Sequence, residues 1–245
     1  MTYKLLLEIC AIFITFFIIG SIACLPIYHW NIPAFFASAL WTKIYWWIPI
    51  FTGFCAVLFV GLPVAVSLTI ALILLAIWES RRPRKPVPAY VWVYLIVVCA
   101  GLVHLPLLCT LGSGAQVAVT LISICFASVF SDVVAFFAGT YSGRHHLPAF
   151  INPRKSYEGV AGQIIGALLG IALVSLLPEI GFSWPLALGI GTASAAGDIY
   201  NSIIKRRLDI KQWGNTIPGH GGVLDRFASL SFALAAGYWI TRLLG

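Results

Sequence analysis

Residues 62–110 read LPVAVSLTIALILLAIWESRRPRKPVPAYVWVYLIVVCAGLVHLPLLCT, and the pattern of this stretch decides the fold. Two apolar runs flank a short basic loop that carries Arg81, Arg82, Arg84 and Lys85. Each run approaches the length of about 20 residues that carries a helix across a bilayer. Neither shows the apolar–polar alternation of a half-buried strand. The same apolar–loop–apolar grammar runs outward in both directions. It predicts spans at about 5–26, 45–61, 63–79, 89–110, 114–139, 158–178, 182–204 and 225–244. Residues 28–44 are aromatic and weakly polar, which suits an interfacial or re-entrant piece. The fold class is therefore all-α, a polytopic transmembrane bundle of about eight spans (eight or nine), because helices satisfy their own backbone in lipid.

Composition agrees. Of 245 residues, 60% are hydrophobic and 9% charged, against about 25% charged in a soluble domain. Too few polar groups exist to coat a soluble globule. The net charge is +7, but the basic residues sit in short loops. That pattern points to a lipid bilayer and an anionic lipid or substrate, and no soluble basic face remains to dock nucleic acid. Cys10, Cys24, Cys55, Cys99, Cys109 and Cys125 lie in or beside apolar runs without a CxxC pair and read as small hydrophobes. Lys4 and the apolar run after it mimic a signal peptide. Glu8 interrupts the run, however, and residues 21–24 form a poor lipoprotein cleavage box, so a retained first span is expected. Trp41, Trp46, Trp47, Trp78, Trp92 and Trp213 fall near expected span ends and read as interfacial anchors.

Three basic loops share one parity: 81–85, the loop with Arg144, Arg154 and Lys155, and the loop with Lys205, Arg206, Arg207 and Lys211. The positive-inside rule puts all three in the cytoplasm. With eight spans both termini then face the opposite side, and a ninth span over 28–44 would move only the N-terminus. Acidic residues divide the chain. Residues 1–130 hold only Glu8 and Glu79, whereas Asp132, Glu158, Glu179, Asp198, Asp209 and Asp225 follow. This suggests an N-terminal scaffold over 1–125 and a catalytic region over 126–245. Glu8 reads as a snorkelling group at the end of the first span.

Ionisable groups inside spans are functional candidates, and they crowd into residues 194–229, SAAGDIYNSIIKRRLDIKQWGNTIPGHGGVLDRFAS. Asp198 and Asp225 are hard oxygen ligands. Lys205, Arg206, Lys211 and Arg226 are cations. Gly219, Gly221 and Gly222 can bring backbone N–H groups close to a ligand. Carboxylates for a divalent metal, cations for the remaining charge and a glycine loop together suit a polyphosphate.

The stretch resembles the signature of the phosphatidate cytidylyltransferase (CDP-diacylglycerol synthase) family. The resemblance rests on Ser202, Lys205, Arg206, Lys211, Pro218, His220, Gly221, Gly222, Asp225 and Arg226, with Gly197-Asp198 upstream. Two earlier blocks also match: Ser131-Asp132 through Phe137 with Gly139 and Gly143, and Asn152 through Gly159, which contains Lys155 and Glu158. It covers residues 130–230, and the first 125 residues match only in being apolar. The chain departs from the family pattern at Gln212, Asn201 and Ala228, where carboxylates are usual, and at Thr140, where Arg is common.

The resemblance implies that CTP and phosphatidic acid give CDP-diacylglycerol and pyrophosphate. It implies Mg²⁺ on Asp198 and Asp225, with Lys205, Arg206 and Arg226 on phosphates and the 219–222 loop around the triphosphate. Asp132, Lys155 and Glu158 would complete the polar cavity. His220 is either a phosphate donor or a structural hydrogen bonder. Ser202 either bonds phosphate or packs, and Asp132 either lines the cavity or is a structural partner. The three departures keep a paralogue with another lipid phosphate in play. A transporter or a non-catalytic lipid- or nucleotide-binding protein is a third class, disfavoured because the carboxylates cluster at one membrane face and not at mid-membrane. A homo-oligomer is compatible with the sequence. Short loops and small size favour a bacterial cytoplasmic membrane, with the site facing the cytoplasm.

Overall fold

The computed structural model describes residues 3–82, 86–219 and 221–244. His220 therefore lies outside the described residues, as do Arg84 and Lys85 of the first basic loop. The chain order is α1 (Tyr3–Cys24), a 3-10 turn (Leu25–Tyr28), α2 (Ile32–Phe36), α3 (Ala39–Tyr45), α4 (Trp47–Val60), α5 (Leu62–Ser80), α6 (Ala89–Leu108), α7 (Gly114–Tyr141), α8 (Tyr157–Val174), α9 (Trp184–Arg207) and α10 (Val223–Leu244).

Each expected span has its helix. Among the described residues, six stretches are long and apolar enough to cross a membrane: Leu40–Val60, Leu62–Ser80, Ala89–Leu108, Gly114–Tyr141, Tyr157–Val174 and Val223–Leu244. The apolar stretch of α1 is shorter, Leu7–Ile22. Helix α9 is long enough, with 24 residues, but Asp198, Lys205, Arg206 and Arg207 dilute its apolar character. Residues 28–44 form only short pieces. Asn31 and Ser38 break the chain there by capping the starts of α2 and α3 with their side-chain oxygens.

Local chemistry sets the boundaries. Gly61, at φ 75°, turns α4 into α5, and Pro63 starts the next helix. Gln116 accepts the Ser113 N–H at the start of α7, and the Ser156 hydroxyl accepts the Gly159 N–H at the start of α8. Pro106 sits inside α6 close to its end.

Helices α7 and α8 share the most extensive helix–helix contact. Gly162, Gly166 and Gly170 follow one stripe of α8, one turn apart, against α7. A Cβ on Gly166 would overlap the Phe130 carbonyl. In lipid no hydrophobic force separates helix from solvent, so close backbone approach through small residues does the joining. Helix α9 lies on α8, and α10 closes the bundle against α9 and α6. The interior is lined by residues such as Leu72, Tyr94, Leu102, Ile124, Ile190 and Leu234. Large side chains such as Ile70, Leu74, Ile96, Leu169 and Leu243 point outward, as a lipid-facing surface requires. The chain is an integral membrane bundle of helices.

One anchor assignment is corrected. Trp78 and Trp92 are exposed near helix ends, but Trp213 is 2% exposed. Its ring stacks on Tyr94, with centroids 5.5 Å apart, and its Nε1–H donates to Asn201 at 2.8 Å. A buried indole needs such an acceptor, and Asn201 supplies it inside the protein.

Candidate active site at one end of the bundle

The C-terminal end of α9, the N-terminal end of α10, the loop between them and the start of α8 come together at one end of the bundle. Two lysine–carboxylate pairs dominate it. The Lys205 ammonium meets Asp225 Oδ1 at 2.6 Å, and both side chains are largely buried. Lys155 pairs with Asp198 Oδ2 and also donates to the Asp198 carbonyl at 3.3 Å. The Asp198 side chain keeps 37% of its surface exposed. Gln163, buried on α8, lies 3.5 Å from Asp198 Oδ2. Asp132 of α7 is half-buried and interacts electrostatically with Asp198, Lys155 and Arg226. Asp132, Asp198, Lys155 and Arg226 are thus brought together, as the sequence suggested.

Two of the loop glycines have a packing role that the sequence did not suggest. Gly221 has φ 89°, and a Cβ on it would lie 2.9 Å from Asp225 Oδ2. A Cβ on Gly222 would lie 2.5 Å from the carboxylate of Glu79. These two glycines make room for carboxylates. The Gly222 N–H is also committed, since it donates to Asp225 Oδ2 at 2.9 Å. The Trp213 N–H donates to the same oxygen at 2.8 Å. Asp225 is thereby locked by two backbone donors and one ammonium, and its rotamer is fixed before any ligand arrives. Gly219, with φ 74°, sits at the outer turn of the loop.

Other residues stand apart. Glu158 holds His145, whose Nδ1 lies 2.7 Å from Oε1 and whose N–H donates at 3.2 Å. It therefore braces the 144–157 loop, not the Asp198 cluster. Arg206 reaches the Ile210 carbonyl at 3.4 Å, and its Nε is buried without a hydrogen-bond partner among the described residues. Ser202 is buried within α9. Lys211 is exposed on the loop. Among the described residues no cluster of three or more His, Cys, Asp or Glu side chains could by itself hold a metal ion.

Sequence reasoning missed two polar residues. Glu79 reaches into the site loop from α5, accepting the Val223 and Leu224 N–H groups at 2.8 and 2.9 Å. Asn201, read only as a departure, accepts from Tyr94 Oη at 2.9 Å and from Trp213 Nε1, and it donates to the Leu224 carbonyl at 3.3 Å. The signal for Glu79 was present: it is one of only two acids before residue 131, and it sits at the end of a span.

Fold and site together define a polytopic membrane protein with paired cations and carboxylates at one end of its helix bundle. The chain belongs to the cytidylyltransferase family, whose model matches residues 5–244. Among curated proteins, a phosphatidate cytidylyltransferase of Bacillus subtilis is 34% identical over 117 residues, 46% of this chain and 44% of that protein. One from Thermotoga maritima is 34% identical over 122 residues, 46% of this chain and 45% of the relative. The chain thus spans under half the length of these two relatives. The uncharacterized protein YnbB of Escherichia coli is 29% identical over 242 residues, 94% of this chain and 78% of its own length.

Proposed function

We propose that the protein transfers CMP from CTP to phosphatidic acid, giving CDP-diacylglycerol and pyrophosphate. The observation that carries this reading is the pair of lysine–carboxylate contacts, Lys155–Asp198 and Lys205–Asp225, at the boundary of a lipid-embedded bundle. In a cytidylyltransferase, such pairs are charges waiting for phosphate. A phosphate oxygen of the lipid attacks the α-phosphorus of CTP. The bond from that phosphorus to the bridging β-phosphate oxygen breaks, and pyrophosphate leaves with the electron pair. The nucleophile is already anionic, so the site needs no strong general base. Its task is to bring two anions together and to stabilise the developing charge.

Magnesium fits the donor chemistry. Among the described residues no hydrogen bond reaches Asp198 Oδ1, and Asp225 Oδ1 holds only Lys205, which leaves lone-pair capacity on both. Mg²⁺ is ordinarily held by one or two carboxylates, with water and phosphate filling the other positions. Asp198 and Asp225 would hold it. When bound it screens the triphosphate and the departing pyrophosphate. Lys155 and Lys205 would then turn from carboxylate to phosphate oxygens. Arg226, Arg206 and Lys211 would neutralise the remaining charge, and the backbone at 219–221 would approach the triphosphate. Asp132 keeps Lys155 and Arg226 oriented. The site faces the cytoplasm of a bacterial cell, the side on which CTP is made, and the lipid headgroup reaches it from the adjoining leaflet.

The test is turnover of purified protein with labelled CTP, phosphatidic acid and Mg²⁺, beside Asp225→Asn. Product formation should depend on Mg²⁺ and fall about 100-fold or more in a variant that remains folded. Near-normal turnover in Asp225→Asn would remove the metal and charge roles assigned here. A second reading, another lipid phosphate as acceptor, is favoured by one observation. The match to YnbB runs over 94% of this chain, whereas the two phosphatidate cytidylyltransferases described above match less than half. The same assay with a panel of lipid phosphates separates the two readings.

A further inference from the structure

We infer that Glu79 is a positioning residue of the nucleotide site: it fixes the backbone at the start of α10 and thereby aims Asp225 and Arg226. Glu79 lies one residue before the end of α5, and its carboxylate is fully buried. Oε1 accepts the Val223 N–H at 2.8 Å and the Thr216 hydroxyl, and Oε2 accepts the Leu224 N–H at 2.9 Å. Val223 and Leu224 open α10, where backbone donors have no acceptor within the helix. A negative charge at that point is also favoured by the helix dipole.

An ordinary cap would have served the helix alone. A Ser or Asp just before α10 could accept these N–H groups locally. Here the acceptor comes instead from 144 residues away in sequence, as a carboxylate that must be taken out of water to reach it. What it adds is position. The N–H of Gly222 goes to Asp225, and those of Val223 and Leu224 go to Glu79. Three consecutive peptide groups are thus held from two sides, immediately before Asp225. Gly222 is a glycine at the point where any side chain would strike the Glu79 carboxylate. Thr216 ties the same carboxylate to the far arm of the loop. Glu79 therefore joins α5, the loop and α10 into one frame for the residues that meet phosphate.

The discriminating variant is Glu79→Gln. It keeps the volume, but it places an NH₂ donor against a backbone N–H and removes the charge. The full chain is used in detergent micelles, with two readouts. The first is hydrogen exchange of the peptide covering 221–227, which should exchange at least about tenfold faster in the variant while α6 and α8 keep their protection. The second, which rests on the proposed reaction, is Mg²⁺ activation. Turnover should fall about 10- to 100-fold, and the Mg²⁺ concentration for half-maximal rate should rise as Asp225 loses its aim. Thr216→Val, which removes one of the three bonds, should show a smaller change in both. Unchanged exchange at 221–227 would overturn the inference. So would exchange that accelerates uniformly through the bundle with an unshifted Mg²⁺ profile, since that marks a purely structural residue. A wild-type protein without transferase activity would sink the reaction and leave the exchange comparison to decide the role of Glu79.

Discussion

Asn201 makes three hydrogen bonds with one buried side chain, two accepted and one donated. A carboxylate at this position would put a second acceptor against the Leu224 carbonyl, so an amide is the residue these neighbours call for. Asn201→Ala would strand the Trp213 indole N–H and the Tyr94 hydroxyl in the interior. It should cost about 1–3 kcal/mol, read as a lower thermal midpoint in detergent; an unchanged midpoint would show that those groups find other partners. Legibility in the sequence differed among residues for a physical reason. Asp198 stood out because charge inside an apolar run is costly and therefore visible, and Asp225 and Lys205 because they share a short polar stretch with it, whereas Lys155 was legible only through its basic loop and the motif block around it. Asn201 is neutral, and its partners Tyr94 and Leu224 are far from it along the chain. Trp213 was misplaced because an indole near a span end looks the same whether it faces headgroups or an internal amide. The glycines were read as phosphate contacts. Gly221 and Gly222 also leave the space that Asp225 and Glu79 occupy, and that requires knowing which side chains arrive there.

At the scale of elements, the α7–α8 pair depends on a stripe of glycines. Gly166→Leu places a branched side chain where the Phe130 carbonyl and the Ser131 backbone already lie. The helices must then separate, at a cost of about 1–3 kcal/mol or more. Because Asp132 on α7 and Gln163 on α8 flank this contact, transferase activity should fall along with the unfolding temperature. A variant that loses neither would show that the seam yields. The spans themselves were legible, since each long apolar run became one helix close to its expected limits. Residues 28–44 were less so. Aromatic and polar residues alternate there without a single period, and the short capped helices α2 and α3 follow from Asn31 and Ser38. The division into scaffold and catalytic region missed the carboxylate that α5 extends into the loop, because contacts over such separations leave no local pattern.

For the whole molecule, the end of the bundle that holds the site also carries Arg144, Lys155 and Lys211, while Glu179 is exposed in the turn between α8 and α9. In a background with the six cysteines replaced, Arg144→Cys and Lys211→Cys should react with an impermeant thiol reagent from the same side of the membrane. Glu179→Cys should react from the other. Labelling of Lys211→Cys from outside intact cells would reverse the proposed orientation. Helix α9 has a consequence of its own. It is as long as a span, yet the polar groups that make it useful leave it outside the set of stretches apolar enough to cross alone. A segment of that kind partitions poorly from the translocation channel into lipid by itself. In the folded bundle α8 and α10 pack against it, so the last three helices are expected to enter the bilayer as one unit. During biogenesis, the helix that carries Asp198 and Lys205 is the one that must wait for its neighbours.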